Sequence, residues 1–487
     1  MEANRNTSED ARIDRVLNGL RPPIAIKGRP AVRGNIEERM DDLNVPGASI
    51  AIIEGREITW AGGFGLKEAG TADPVHTSTL FQVASISKPV AASAALRLVE
   101  DGTLSLDEDV NSYLQSWKVP ENSFTVKEKV TLRRILSHSA GLTIPSFAGY
   151  MSDEPIPTIR QILDGEKPSN SSAIRVDTIP GSISRYSGGG YVVIQQLLID
   201  ITEESFPSAL KRLVFDPVGM ILSTYEQPLP ESRIREAASG HDGEGTVVKG
   251  KWYTYPEMAA AGLWTTPTEL AKWALEISRA WNGQPNSLLS KSMVQEMLTL
   301  EKPPLSSELA FPFGLGLVLQ GEGDSFSFTH GGSNQGFLST FVMFPVLGKG
   351  AVVMTNANRG GTLFNEVLQS IAAEHQWPAG TQTEREVVNL SSGQLDKLVG
   401  EYTLLTEPIP NSPLSCEVSR EGERLFVEME VYSLFAEMKV YSLKIEIYAA
   451  SAESFFTTAG LDVQFTRDSS GRAVKVELAG VELAAAG

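Results

Sequence analysis

The first chemical feature of the sequence is Ser85, three residues before Lys88 in an alanine-rich stretch. Pro89 is tolerated only in the first turn of a helix, so we expect a helix from about Ser85 to Glu100. Residues three apart share a helical face, which lets the two side chains touch. A helix with so few charged residues is expected to be buried on nearly every side. Burial and the positive end of the helix dipole both disfavour an ammonium ion, so Lys88 can act as a base toward Ser85.

A second copy of the same spacing places Ser208 three residues before Lys211. It lies in a stretch of mixed polarity, which is typical of a solvent-exposed helix face. We therefore interpret Ser208 and Lys211 as surface residues. The spacing alone does not separate a catalytic pair from an ordinary helix face, so the case for Ser85 and Lys88 depends on the rest of the chain.

The second chemical feature is Tyr186, which stands just before three glycines, Gly188 to Gly190. Glycine permits the close approach of a ligand or of another backbone segment. A phenol beside cations can pass a proton between a serine, a lysine and a leaving group. The alternative interpretation is a loop that only packs Tyr186 and Tyr191 against the core.

The third chemical feature is His330, which is followed by Gly331 and Gly332 between two strand-like runs. The glycines leave room for a substrate along the strand edge, where main-chain N–H groups can bind an acyl oxygen. His330 can donate a hydrogen bond to that substrate or stabilise charge on it. The alternative is a strand-end histidine whose hydrogen bonds are satisfied within the protein.

Absent motifs and overall charge narrow the function. The chain has no Gly-x-Gly-x-x-Gly, P-loop, His-Glu-x-x-His or Gly-x-Ser-x-Gly motif. Its five histidines lack metal-ligand spacing and Cys416 is its one cysteine, so we predict no metal, cofactor or disulfide. A net charge of −18 over 487 residues disfavours nucleic acid and anionic membranes as partners. No signal-like segment and no apolar run of about 18 residues occurs, which predicts a cytoplasmic protein without a membrane span.

The elements around these motifs indicate a mixed fold of the α+β class. A strand-like run covers Ala48 to Ile53, and helical patterns dominate from Ser87 to about Leu300. Strand patterns then return, beginning with Phe313 to Leu319 and ending near Thr355. Strands at both ends with helices between them predict an α/β sandwich whose terminal strands share one sheet.

Domain boundaries follow changes in composition and periodicity. Residues 1–30 are polar and predict an N-terminal arm, and residues 31–378 hold the motifs described above. Residues 379–393, which begin with Ala379-Gly380 and end with Ser391-Ser392-Gly393, predict a linker. Residues 394–487 contain short alternating runs at near-regular spacing, which predict a small antiparallel β-barrel.

The three features occur in an order that resembles the serine β-lactamase and penicillin-binding-protein superfamily. Within it, the chain is similar to the class C β-lactamase-like branch, which includes D-aminopeptidases, D-peptidases and esterases. The resemblance covers roughly Gly34 to His375, and Val45 to Ser49, Leu136 to Leu142 and Ala261 to Ala271 support it. It implies a β-lactamase-like sandwich, with an antiparallel sheet flanked by helices and an all-helical subdomain, followed by a lipocalin-like barrel.

The resemblance also implies roles for individual residues. Ser85 matches the family nucleophile, Lys88 its partner base and Tyr186 the tyrosine that shuttles the proton. The backbone N–H groups of Ser85 and Ser333 match the oxyanion hole. His138 matches a position that we interpret as structural.

Two positions depart from the pattern of the lactamases. Gly188 stands where the family usually has the asparagine of Tyr-x-Asn, so an amide able to bind Lys88 is missing. His330, Gly331 and Gly332 stand where the lactamases carry Lys-Thr-Gly, and D-aminopeptidase-like members carry His-x-Gly there. A neutral histidine is a weaker partner for a carboxylate than lysine, so efficient β-lactam hydrolysis is not expected. These four residues are the expected substrate contacts.

We therefore expect a serine hydrolase that cleaves a small-molecule ester, amide or peptide through an acyl-enzyme on Ser85. A homo-oligomer is compatible with the sequence. Two alternatives stay open. The first is a catalytically weak penicillin-binding-type or ligand-binding protein whose barrel is the recognition module. The second is a Ser-His-Asp triad that uses His330 or His138.

Overall fold

The computed structural model describes residues 7–30, 32–301, 305–306, 312–404, 415–432, 439–478 and 481–485. The chain forms two compact units. One unit runs from Met40 to Phe364. The other combines the segment up to Arg39 with the segment from Asn365 onward. The second unit is therefore assembled from two stretches that lie far apart in the sequence.

A six-stranded antiparallel sheet lies at the centre of the Met40–Phe364 unit. Its strand Gly47–Glu54 is buried along almost its whole length, as expected for an apolar run. That strand pairs with Lys349–Thr355, with Ala51 opposite Val352. The prediction that strands from both ends share one sheet is confirmed. In sheet order the strands are Glu57–Gly65, Gly47–Glu54, Lys349–Thr355, Phe337–Phe344, Ser327–Asn334 and Val318–Gln320.

The strand predicted at Phe313 to Leu319 is mostly a turn. Regular pairing is limited to Val318–Gln320, and Phe313 makes an isolated bridge to Val318. Gly316 has a φ of +89°, a left-handed conformation that favours glycine. This turn bends the chain before the strand begins, which the apolar composition of the segment did not indicate.

The alanine-rich helix Ser87–Glu100 is buried on nearly every side, as predicted. The 3₁₀ turn Ala84–Ile86 precedes it. Two other long helices begin at N-caps, Ser187 for Gly188–Thr202 and Thr266 for Pro267–Trp281. The shorter helices of this unit are Leu132–Leu136, Ile159–Asp164, Phe206–Leu210, Asp216–Val218, Met258–Ala261 and Lys291–Met297, with 3₁₀ turns at Val110–Ser112, Glu231–Glu236 and Gly323–Ser325 and a π turn at Lys211–Phe215.

Two short strand pairs connect loops of the same unit. Phe81–Gln82 pairs antiparallel with Trp264–Thr265, and Ile183–Ser184 pairs in parallel with Leu305–Ser306. The first pair lies just before the alanine-rich helix, and the second just before Tyr186. Both therefore help to fix the backbone that carries the predicted site residues.

The second unit contains a closed eight-stranded antiparallel barrel, which confirms the predicted barrel. Neighbouring strands follow one another in the chain, the up-and-down arrangement found in lipocalins. Cys416 and Val418, two residues apart on one strand, both contribute to its buried core. Its strands are Gly400–Leu404, Ser415–Glu421, Arg424–Tyr432, Lys439–Ala449, Ser454–Phe456, Asp462–Arg467, Ala473–Leu478 and Val481–Ala485.

The segment predicted as an N-terminal arm contains a helix, Thr7–Leu17, and a strand, Ile24–Ile26. The strand pairs in parallel with Thr383–Arg385, within the predicted linker. The N–H of Ile24 also donates to the carbonyl of Thr458 at 3.0 Å. The helices Ile36–Asp42 and Gly360–Glu374 cross the unit boundaries, and Ser392–Leu395 precedes the barrel. Among the described helices, none is both long enough and apolar enough to cross a bilayer.

Candidate active site

Ser85 lies in the turn Ala84–Ile86, directly before the alanine-rich helix. Ala84 has a φ of +48°, a left-handed conformation that is costly for a residue with a Cβ. The preceding strand Phe81–Gln82 is paired with Trp264–Thr265. The strained turn that presents Ser85 is therefore held in place by a paired strand on one side and a buried helix on the other.

The buried side chain of Lys88 contacts the hydroxyl of Ser85. Its Nζ lies 3.0 Å from Oγ of Ser85 and donates to the carbonyl of Ala260 at 2.9 Å. The side chain is 1% exposed, and burial lowers the pKa of Lys88 to about 7. The unprotonated amine of Lys88 is therefore accessible at neutral pH. That amine can accept the proton of Ser85 Oγ.

Tyr186 completes a group of three polar side chains. Its hydroxyl is hydrogen-bonded to the side chain of Ser85. Burial raises the pKa of Tyr186 well above its usual value, and the bond to Ser85 offsets part of that rise. Nζ of Lys88 lies 4.9 Å from the centre of the Tyr186 ring. The structure thus brings Ser85, Lys88 and Tyr186 together, with Lys88 suited to take up a proton and Tyr186 suited to donate one.

The glycines after Tyr186 are required by packing within the protein. The N–H of Gly188 donates to the carbonyl of Pro145 at 2.9 Å, and a Cβ at Gly188 would lie 2.9 Å from that oxygen. A Cβ at Gly189 would lie 2.4 Å from the carbonyl of Thr143. Gly188, a predicted substrate contact, is buried against Pro145 in the structure.

Four predicted site residues lie on the strand Ser327–Asn334, namely His330, Gly331, Gly332 and Ser333. One side of this strand pairs with Phe337–Phe344. On the other side, pairing with Val318–Gln320 ends at Thr329. Beyond Thr329 the edge of the strand is not paired with Val318–Gln320. An extended acyl or peptide chain can bind along such an edge.

The two glycines of this strand have different surroundings. A Cβ at Gly332 would lie 2.0 Å from the carbonyl of Val83, just before the turn that carries Ser85. A Cβ at Gly331 would have no neighbour closer than 3.9 Å. Gly332 therefore lets the strand pack against the Ser85 turn, and Gly331 has open space beside it. Ser333 follows directly and is exposed.

His330 is a neutral ring that donates a hydrogen bond to the backbone in this structure. Its Nδ1 lies 2.6 Å from the carbonyl of Gly331. Two acceptors do not approach so closely, so Nδ1 carries the proton and Nε2 carries the lone pair. Burial and the nearby Lys88 lower the pKa of His330 to about 3. Nε2 is buried and has no hydrogen-bond partner in the described structure, so in this conformation neither ring nitrogen is free to donate to a substrate.

Sequence analysis did not identify Asn334, which follows Ser333. Its Nδ2 donates to Oε1 of Gln82 at 2.9 Å and to the carbonyl of Ala261 at 3.1 Å. It therefore links the strand to the segment whose Ala260 carbonyl binds Lys88. Its position next to Ser333, a predicted oxyanion-hole residue, was the one feature of the sequence that could have indicated Asn334.

Glu257 is another buried group that sequence analysis did not identify. It is 0% exposed, and neither carboxyl oxygen has a hydrogen-bond partner in the described structure. Burial raises the pKa of Glu257 to about 8, so the group is mostly protonated at pH 7. It does not belong to a metal cluster, because the described residues include no group of three or more His, Cys, Asp or Glu that could hold an ion.

Residues 32–376 match a family model described as Beta-lactamase, and this match covers well over half of the chain. The chain therefore belongs to the beta-lactamase family of serine hydrolases.

Curated relatives are distant and longer than the matched region. "Protein flp" of Staphylococcus aureus (strain N315) is 23% identical over 332 residues, covering 66% of this chain and 62% of that protein. "Unguisins hydrolase ungD" of Aspergillus violaceofuscus (strain CBS 115571) is 26% identical over 371 residues, covering 67% of this chain and 62% of that protein. The chain thus spans less than two thirds of the length of these relatives.

Solved structures show the same fold at low sequence identity. The octameric penicillin-binding protein homologue from Pyrococcus abyssi is 22% identical, with a TM-score of 0.59 over 92% of this chain and 98% of that chain. The D-amino acid amidase from Ochrobactrum anthropi SV3 complexed with L-phenylalanine is 21% identical, with a TM-score of 0.57 over 76% of this chain and 99% of that chain. The predicted β-lactamase-like fold is confirmed.

Proposed function

We propose that this protein cleaves a small ester, amide or peptide through a covalent acyl-enzyme on Ser85. The observation that carries the proposal is that Oγ of Ser85 contacts both Nζ of Lys88, at 3.0 Å, and the hydroxyl of Tyr186. Burial alone sets the lowered pKa of Lys88, so its base strength is matched to neutral pH. The names of two relatives, an amidase and a hydrolase, support the same class of reaction.

In the proposed acylation step, neutral Lys88 accepts the proton of Ser85 while Oγ forms a bond to the substrate carbonyl carbon. The carbonyl electron pair moves onto oxygen, which the backbone N–H groups of Ser85 and Ser333 stabilise by roughly 3 kcal/mol per donor. As the bond to the leaving group breaks, Tyr186 donates its proton to the leaving nitrogen or oxygen. The ammonium of Lys88 then returns a proton to Tyr186.

Deacylation repeats these transfers with water as the nucleophile. Water loses a proton to Lys88 and attacks the acyl carbonyl. As the bond between the acyl carbon and Oγ of Ser85 breaks, Tyr186 donates its proton to Oγ and regains one from the ammonium of Lys88. The products are a carboxylic acid and the free enzyme. The same three side chains therefore serve both halves of the reaction, which is the economy expected of an acyl-enzyme mechanism.

His330 favours substrates without a carboxylate beside the scissile bond. Its ring is uncharged, its Nδ1 is committed to Gly331 and its Nε2 is buried. An uncharged ring does not neutralise an anion of the substrate. We therefore propose esters and amides without such a carboxylate as substrates and expect cephalosporins, which carry one, to be poor.

A catalytically weak binding protein is the second candidate function. The observation in its favour is Gly188, which supplies no side-chain amide beside Lys88. Turnover of any ester or D-amino acid amide that depends on Lys88 would eliminate this candidate.

The test combines active-site labelling with a substrate panel. We expect a fluorophosphonate to add one label per chain, detected by intact mass, and Ser85→Ala to abolish it. Ser208→Ala is the matched control, because it removes the serine of the second Ser-x-x-Lys copy and should leave labelling unchanged. Labelling that persists in Ser85→Ala would refute the proposal.

The panel compares p-nitrophenyl esters, D-amino acid p-nitroanilides and nitrocefin. We expect ester or anilide cleavage that Lys88→Met abolishes, and slow nitrocefin turnover. Rapid nitrocefin turnover would contradict the role given to His330, without affecting the assignment of Ser85.

A further inference from the structure

His138 contacts the backbone on both sides of Tyr186 and the tyrosine ring itself. The carbonyl of His138 accepts from the N–H of Arg185 at 2.8 Å. Its Nδ1 accepts from the N–H of Ser187 at 3.0 Å. The two rings lie with centroids 4.3 Å apart at an interplanar angle of 34°. One residue therefore fixes the position of Tyr186 through three separate contacts.

The backbone of His138 is in an unusual conformation. Its φ is +57°, in the left-handed region, just after the helix Leu132–Leu136. A residue with a Cβ is held in this region only where surrounding structure requires it. The side chain is 2% exposed and packs edge-to-face against Phe313, with centroids 4.5 Å apart. Packing and backbone together give the ring a single orientation.

An apolar ring would not make the same contacts. Because Nδ1 of His138 accepts from a backbone N–H, its proton must be on Nε2. Nε2 is buried without a hydrogen-bond partner in the described structure, which is a cost to stability. Phenylalanine would avoid that cost but would leave the N–H of Ser187 unpaired. A histidine here is therefore explained by the backbone next to Tyr186, and not by packing alone.

We propose that His138 is a positioning residue that holds the hydroxyl of Tyr186 against Ser85. The inference rests on the proposed function, in which Tyr186 donates a proton to the leaving group. His138 takes no part in the bond changes, because it contacts the ring and backbone of the Tyr186 segment. Its loss should therefore reduce turnover through Tyr186 and leave substrate affinity almost unchanged.

The test is a double-mutant cycle between His138 and Tyr186. His138→Phe keeps an aromatic ring and removes the acceptor for the N–H of Ser187. We expect roughly a 30-fold loss of kcat, with KM within 3-fold, on the best ester of the panel. His138→Asn keeps an acceptor near Nδ1 and tolerates a positive φ, so it should retain at least one third of wild-type kcat.

In a Tyr186→Phe background, we expect His138→Phe to cost less than 3-fold, because the group that it positions is already gone. An equal loss in both backgrounds would overturn the inference, since His138 would then act independently of Tyr186. If His138→Phe does not fold, His138→Ala in the same two backgrounds answers the same question, because it also removes the acceptor for the N–H of Ser187.

Ser85→Ala separates this inference from the proposed function. Activity that survives Ser85→Ala refutes the proposed function itself. Activity that requires Ser85, together with equal losses in the two backgrounds, refutes only the role of His138.

Discussion

Replacing Lys88 with methionine should change how the stability of the protein depends on pH. The unfolded lysine has a pKa of 10.5, and burial lowers the folded value to about 7. The unfolded state thus binds more protons between these values, and the free energy of unfolding should rise with pH across this window. Lys88 opposes folding by about 4 kcal/mol at pH 7 and by about 2 kcal/mol at pH 9.

The measurement is urea unfolding at pH 7 and pH 9, followed by tryptophan fluorescence. Six of the seven tryptophans lie between residues 40 and 364, so the signal reports on the unit that contains Lys88. Between the two pH values, the free energy of unfolding of the wild type should rise by about 2 kcal/mol more than that of Lys88→Met. Lys211→Met is the matched control, because the Lys211 side chain is 67% exposed and should not alter the pH dependence. Equal pH dependence in wild type and Lys88→Met would refute the reasoning.

Further predictions concern the rate of acylation, the packing around Gly332 and the ionisation of Glu257. The rate of ester acylation should rise with pH through about 7, because only neutral Lys88 accepts a proton; stopped-flow rates that stay flat from pH 5.5 to 8.5 would contradict this. Gly332→Ala should lose about 3 kcal/mol of stability or fail to fold, because its Cβ would lie 2.0 Å from the carbonyl of Val83, whereas Gly331→Ala should stay within about 1 kcal/mol in urea unfolding. Glu257→Gln should raise the free energy of unfolding by about 1 kcal/mol at pH 5 and by up to about 5 kcal/mol at pH 9, because the unfolded carboxyl ionises near pH 4.5 whereas burial keeps the folded carboxyl protonated up to about pH 8. A gain of equal size at both pH values would be inconsistent with that origin.

The pairing of Ser85 with Lys88 could be predicted because it is local. A separation of three residues, across the 3₁₀ turn and the first turn of the helix, brings the two side chains together, and the alanine-rich composition indicates burial. Burial is the cause of the lowered pKa in the structure, as the sequence argument requires. The exposed second copy at Ser208 and Lys211 could also be separated by its polar surroundings.

Contacts between distant segments could not be derived from the sequence. Lys88 donates to Ala260, 172 residues further along the chain, and no local pattern indicates that partner. The tautomer of His330 depends on the 2.6 Å distance between its Nδ1 and the carbonyl of Gly331, and no sequence pattern indicates that distance. His138 was interpreted as structural from the family resemblance, and its ring contact with Tyr186 could not be predicted, because it joins segments far apart in the sequence.

The division of the chain has a consequence for its synthesis. The strand Ile24–Ile26 leaves the ribosome early, but its partner Thr383–Arg385 follows only after all of Met40–Phe364 has been made. At typical translation rates that interval is roughly 20 to 70 s. The Met40–Phe364 unit can therefore fold first. Until Thr383–Arg385 has been made, the strand Ile24–Ile26 has unpaired backbone groups that can bind chaperones or pair with non-native strands.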